Sequence, residues 1–102
     1  MKYQLVLQFP ASAIKDYDGM MEIENLIICG LGSLGEVDGH DAGSGETNIF
    51  VHTDNPQFAF ARIWSLLCAT DFASKVKAAY REIGGEVYTI IHPPGLGSFS
   101  VK

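Results

Sequence analysis

The sequence predicts an α+β domain with the element order βαββαβ, its four strands forming one antiparallel sheet in the order 4-1-3-2 with the helices on one face. Three observations carry that expectation: period-two alternation from Tyr3 to Phe9, apolar residues at helical spacing after Asp16 and again after Pro56, and a glycine-rich turn between two extended runs. At 102 residues, 47 % apolar and 19 % charged, the chain has the length and composition of a single folded domain, with a core over about residues 2–92 and a tail over 93–102.

The first strand sets Tyr3, Leu5, Leu7 and Phe9 against Gln4, Val6 and Gln8 and stops at Pro10. Met20, Ile23, Leu26, Ile27 and Leu31 then recur at helical spacing, with Asp16 or Asp18 as N-cap and Gly30 or Gly32 at the C-terminal stop. Leu34–Asp41 and Thr47–Thr53 read as a hairpin joined by the loop Ala42–Glu46. Asp54-Asn55-Pro56 starts a second helix, with a capping residue followed by Pro at the first helical position. Its apolar positions are Phe60, Ile63, Trp64 and Leu67 and, beyond a break at Thr70-Asp71, Phe72, Val76, Ala79, Tyr80 and Ile83 up to Gly84-Gly85. Phe58, Phe60, Trp64, Phe72 and Tyr80 are read as packing residues. Glu86–His92 is rich in β-branched and aromatic residues and ends at Pro93-Pro94, which gives the last strand, and Gly95–Lys102 holds Phe99 and Val101 at strand spacing.

The net charge of −5 is unevenly distributed. Nine acidic residues and no Lys or Arg lie between Lys15 and Arg62. Such a stretch repels phosphate and argues against nucleic acid as partner, leaving a basic protein, a cation or nothing specific. The apolar run Leu26–Leu31 is broken by Gly30 and falls far short of the roughly 20 residues of a membrane span. The opening MKYQLVLQFP lacks a secretory pattern. Cys29 and Cys68 sit in apolar helical patterns and read as buried thiols of a reducing cytoplasm. No cofactor is expected.

The densest chemistry is GEVDGHDAGSGE, Gly35 to Glu46. Pairing Asp41 with Thr47 would set Glu36 opposite His52, Asp38 opposite Phe50 and His40 opposite Asn48, leaving Val37, Gly39, Ile49 and Val51 on the other face. A register shorter by one residue mixes polar and apolar side chains on both faces. Glu36, Asp38, His40, Asn48, Phe50 and His52 are therefore expected together on the helix-free face beside Gln4, Val6 and Gln8, as a binding surface centred on the large apolar Phe50. Asp41 falls on the helix side, near the turn glycines. Asp38, His40 and His52 supply the ligand types of a metal site, with Glu36 as a general base, but the two histidines stand too far apart in the sheet to converge easily. Glu36 and His52 read more simply as a solvated cross-strand pair. Gly43-Ser44-Gly45 could form an anion-binding nest, which Asp41 and Glu46 oppose, and Ser44 lacks the surroundings of a nucleophile. The three residues read as a turn. His92, ahead of two prolines, reads as a strand boundary that could approach the open face, and no residue is assigned as catalytic.

In element order, size and charge, the chain from about Lys2 to His92 resembles the ferredoxin-like (alpha-beta plait) superfamily. Within it, the chain is similar to small acidic bacterial proteins without assigned chemistry, some of which are immunity proteins or antitoxins. The resemblance implies a cytoplasmic, non-enzymatic protein-binding or regulatory module that neutralises a basic partner. Two other readings stay open: a metal-assisted hydrolase or lyase using Asp38, His40 and His52, and a homodimeric plait that binds a small ligand at its interface. The fold alone does not choose among them.

Overall fold

The computed structural model describes residues 2–14, 16–43 and 45–101. In chain order it contains β1 (Tyr3–Pro10), α1 (Tyr17–Leu31), β2 (Gly35–Gly43), β3 (Glu46–Thr53), α2 (Pro56–Leu67), β4 (Lys77–Glu82) and β5 (Thr89–His92). Short 3-10 turns at Ala11–Ala13, Gly32–Leu34 and Asp71–Ser74 link them. The strands form one five-stranded sheet, β2-β3-β1-β4-β5, antiparallel at every junction.

Local chemistry starts both helices where the sequence places their caps. The Asp16 carboxylate accepts from the Gly19 amide at 2.8 Å, and the Asn55 side chain accepts from the Phe58 amide at 3.2 Å with Pro56 at the first turn. Gly32, at φ +52°, ends α1 in a conformation that side chains disfavour. The helices cross closely at Gly30, where a Cβ would stand only 3.0 Å from Ile63 Cα. The core fills the space between sheet and helices: Leu5, Leu7, Phe9, Ile49, Val51 and Ala78 pack with Ile23, Ile27, Leu31, Ile63 and Leu67. Most of these are fully excluded from solvent, each burial stabilising by about 1.5–3 kcal/mol for the larger side chains.

The expected four-stranded sheet of order 4-1-3-2 is corrected in its second half. Thr70 caps a new segment, its hydroxyl accepting from the Phe72 amide at 3.3 Å, but that segment is only the turn Asp71–Ser74. Phe72 packs edge-on against Phe9, their ring centres 6.2 Å apart. Lys77–Glu82, expected to be helical, is then a strand lying between β1 and the strand formed by Thr89–His92. The neighbour of β1 is thus β4, and the segment expected at Glu86–His92 is shorter and stands one strand further out. Ala78 pairs with Leu7 and Tyr80 with Leu5, so tertiary packing overrides the helix-forming composition. Gly84 at φ +89° and a Gly85 N–H bonded to the Glu82 carbonyl at 2.8 Å turn the chain into β5.

Three smaller expectations also change. Phe58 is 51 % exposed, because it lies on the outer side of α2. Tyr80 keeps its packing role but on a strand, edge-on to Tyr3 at 5.6 Å. Cys29 and Cys68 are both exposed and free, since the core faces of the helices are taken by Ile27 and Leu31 and by Ile63 and Leu67. No helix among the described residues is long and apolar enough to cross a membrane.

Candidate functional site

The candidate residues sit on the hairpin β2-β3, whose register changes partway along. Glu36 pairs with His52 and Val37 with Val51, as the alternation predicts. After Val37 the ladder slips by one residue, so that Gly39 pairs with Phe50, His40 with Ile49, Asp41 with Asn48 and Ala42 with Thr47. Asp38 is the extra residue of a β-bulge, and Gly39 takes φ +157°, a value that L side chains rarely adopt. The hairpin is also tighter than expected, with Gly43 paired to Glu46 and the Gly45 carbonyl accepting from the Ala11 amide at 2.9 Å. Ser44 lies outside the described residues, while Gly43 and Gly45 flank the turn.

That one-residue slip sorts the candidates onto two sides of the sheet. Glu36, Phe50 and His52 lie on the helix-free face, because their partners along β1 are Gln4 and Val6. Asp38 joins them from the bulge, its Oδ2 3.5 Å from His52 Nε2, so His52 meets the bulged carboxylate and not its cross-strand neighbour Glu36. His40 is corrected to the opposite side. There Nδ1 lies 2.6 Å from Glu24 Oε1 of α1, outside hydrogen-bond geometry. Asp41 is corrected in the reverse direction: pairing with Asn48 puts it on the helix-free face, exposed.

The trio Asp38, His40 and His52 is therefore not assembled, because the bulge leaves one imidazole across the sheet from the other two groups. Among the described residues, no group of three His, Cys, Asp or Glu side chains converges as a metal site. Asn48 is on the helix-free face but 2 % exposed, accepting from Gln8 Nε2 at 3.0 Å. His92 points to the helix side, its ring 4.6 Å from that of Trp64 and 5.7 Å from that of Phe60. Desolvation by burial there lowers the His92 pKa below its ordinary 6.5.

The helix-free face has two features that the sequence reading missed. The first is a charge division: Glu36, Asp38 and Asp41 line β2, while Lys77 and Arg81 of β4 occupy the same face through their pairing with Gln8 and Gln4. Arg81 is already committed, its Nε donating to Gln4 Oε1 at 3.1 Å and a terminal nitrogen to the Gly85 carbonyl at 2.8 Å. The second is cover by the tail: Gln8 Nε2 also donates to the Ser100 carbonyl at 2.9 Å, and Phe99 packs on Tyr88 with ring centres 5.2 Å apart. On this face Val6 and Ala79 are wholly buried and Gln8 is 4 % exposed, though all three face away from the helices. A surface depression of about 640 Å³ lies elsewhere, between Ser12, Glu22, Thr70, Phe72 and Lys75, and includes none of the candidates.

No family model, no curated protein and no solved structure matches the chain. The arrangement has to be read from its own chemistry. It offers an exposed acidic strand, a half-buried aromatic, and an imidazole in contact with a carboxylate.

Proposed function

We propose that the protein is a non-enzymatic binding module that docks a basic protein through the acidic half of its helix-free face. Glu36, Asp38 and Asp41 supply the charge, Phe50 the apolar centre and His52 a polar contact beside it. The single observation carrying this reading is the gathering of three carboxylates on one face of an edge strand, in a segment from residue 16 to residue 61 that contains no Lys or Arg. Opposite charge steers encounter and fixes orientation. A Phe50 that is half-buried within a polar surround provides the desolvated anchor that such interfaces need.

The same reading accommodates the plait resemblance. The strands β1 to β4 with their two helices constitute a βαββαβ unit, and β5 is an addition at its edge, which leaves β2 as the edge available to a partner. Neutralisation of a basic toxin or enzyme in the cytoplasm is the role that this combination of size, acidity and fold would fit. His40 takes no part in the surface.

The test is capture from a lysate of the source cells at low and high salt, by the native chain and by the charge-reversed variant Glu36→Lys/Asp38→Lys/Asp41→Lys. Retention of a basic protein at low salt by the native chain alone is the expected result. Equal retention by both chains, or none by either, breaks the reading. Sizing the native chain and Phe50→Glu in solution covers self-association, which would appear as a dimer lost in the variant.

A further inference from the structure

We propose that residues Leu96–Val101 are a displaceable strap, a ligand in cis that closes the part of the helix-free face between Gln8 and Tyr88 and marks it as a site for an extended peptide. This rests on the reading of that face as a binding surface, and adds how the surface is regulated and what shape of ligand it takes.

The tail lies on the sheet with one side apolar. Leu96, Phe99 and Val101 are half-buried, whereas Gly95, Gly97, Ser98 and Ser100 are exposed. Phe99 reaches Tyr88, whose ring carries the Arg81 guanidinium 5.9 Å from its centre, and Ser100 reaches Gln8. Along the sheet beneath, Val6, Ala79, Gln8 and Asn48 are shut off from solvent without a helix on their side. A sheet face left bare would hold none of them so.

Yet the cover is lightly fastened. The tail residues belong to no strand, and their described backbone–backbone bond is local, from the Leu96 amide to the Pro93 carbonyl at 3.2 Å. Among the described residues, attachment of the tail to the sheet by hydrogen bond passes through Gln8. Pro93 and Pro94 lead into Gly95, at φ +86°, so a stiff exit from β5 is followed at once by a residue free to swing. Segments held by few buried contacts and without a ladder open well before the global fold does.

Gln8 explains why the ligand should be an extended peptide. Its amide gives one hydrogen to Asn48 Oδ1 and the other to Ser100 O, and a buried donor left without a partner is costly. Whatever replaces the strap has to bring a carbonyl to Gln8 and a large apolar side chain to Tyr88, as the strap does. A tether of a few residues holds the strap at an effective concentration of the order of millimolar, so a competitor must exceed that advantage.

The experiment uses the full chain and a synthetic peptide of residues 93–102 as probe, read by NMR hydrogen exchange. In Phe99→Asp, the Gln8 side-chain amide should lose its protection while the Leu5 and Leu7 amides keep theirs, and the peptide added in trans should restore it; a peptide with Asp at position 99 should not. If Phe99→Asp does not fold, Val101→Asp with the same probe serves. Undiminished Gln8 protection in the folded variant, or no restoration by the peptide, overturns the strap. No basic partner enters this experiment, so a strap that exchanges in a chain that captures no basic protein would overturn the partner reading alone.

Discussion

Both faces of the sheet hold fully buried residues, but for different reasons. On the helix side, Leu5, Leu7, Phe9, Ile49 and Val51 are sealed by α1 and α2, elements whose own backbone bonds are satisfied internally. On the other, Val6 and Ala79 reach the same zero exposure with no helix above them, on a face that the tail meets through the Gln8–Ser100 hydrogen bond. Solvent exclusion therefore does not measure how firmly a residue is held. Energetically, the difference lies in what has to move for water to enter.

Alanine substitution on adjacent residues of β1 separates the two cases most strongly. Leu7→Ala should cost about 2–5 kcal/mol in urea unfolding, as for a side chain deleted from a core that cannot collapse. Val6→Ala should cost less, about 1.5 kcal/mol for two buried methyl groups. Its cost should also shrink further in a Phe99→Asp background, whereas that of Leu7→Ala should stay the same, since only neighbours that share a contact couple. Equal costs for Leu7→Ala and Val6→Ala, each insensitive to the tail, would erase the distinction between the faces.

A smaller effect is expected at His92, on the helix side between Trp64 and Phe60. Burial disfavours its charged form and places its folded pKa below the ordinary 6.5. The unfolded chain thus takes up the proton first, so this contribution to stability is complete above about pH 6.5 and is lost as pH falls from there through the folded value. His92→Gln should flatten that part of a melting-temperature profile. An unchanged profile would mean that the ring is not desolvated in solution.

How much of this was legible in the sequence depended on whether neighbouring residues were enough to decide. The caps Asp16 and Asn55 and the alternation of β1 are local and stand as read. The stretch Lys77–Glu82 reads as helix because residues four apart share a face in a strand as well as in a helix, and Ala, Lys, Arg and Glu favour the helix. Gly84-Gly85 between two such runs is a hairpin signal as well as a helix stop, and only the sheet pairing decides between them. On the hairpin, alternation gave the right pairs up to Val37 and the wrong ones beyond. The clue was Gly39, since an isolated Gly within a strand pattern points to a bulge. Nothing local could announce the bond between Gln8 and Ser100, because that contact joins the two ends of the chain.

The bulge supplies the finest test of the comparison, since it alone sends His40 to the helix side and Asp38 to the other. His40 is 48 % exposed in its side chain and Glu24 18 %, so their contact is partly open to water. A double-mutant cycle on His40→Ala and Glu24→Ala should give a coupling of about 0.2–1 kcal/mol that fades at high salt. If the bulge were absent, His40 would stand with Asn48 on the helix-free face and the cycle would read zero. The contact of α1 with β2 is therefore a direct report on the register of the hairpin, and on which carboxylates it leaves for a partner.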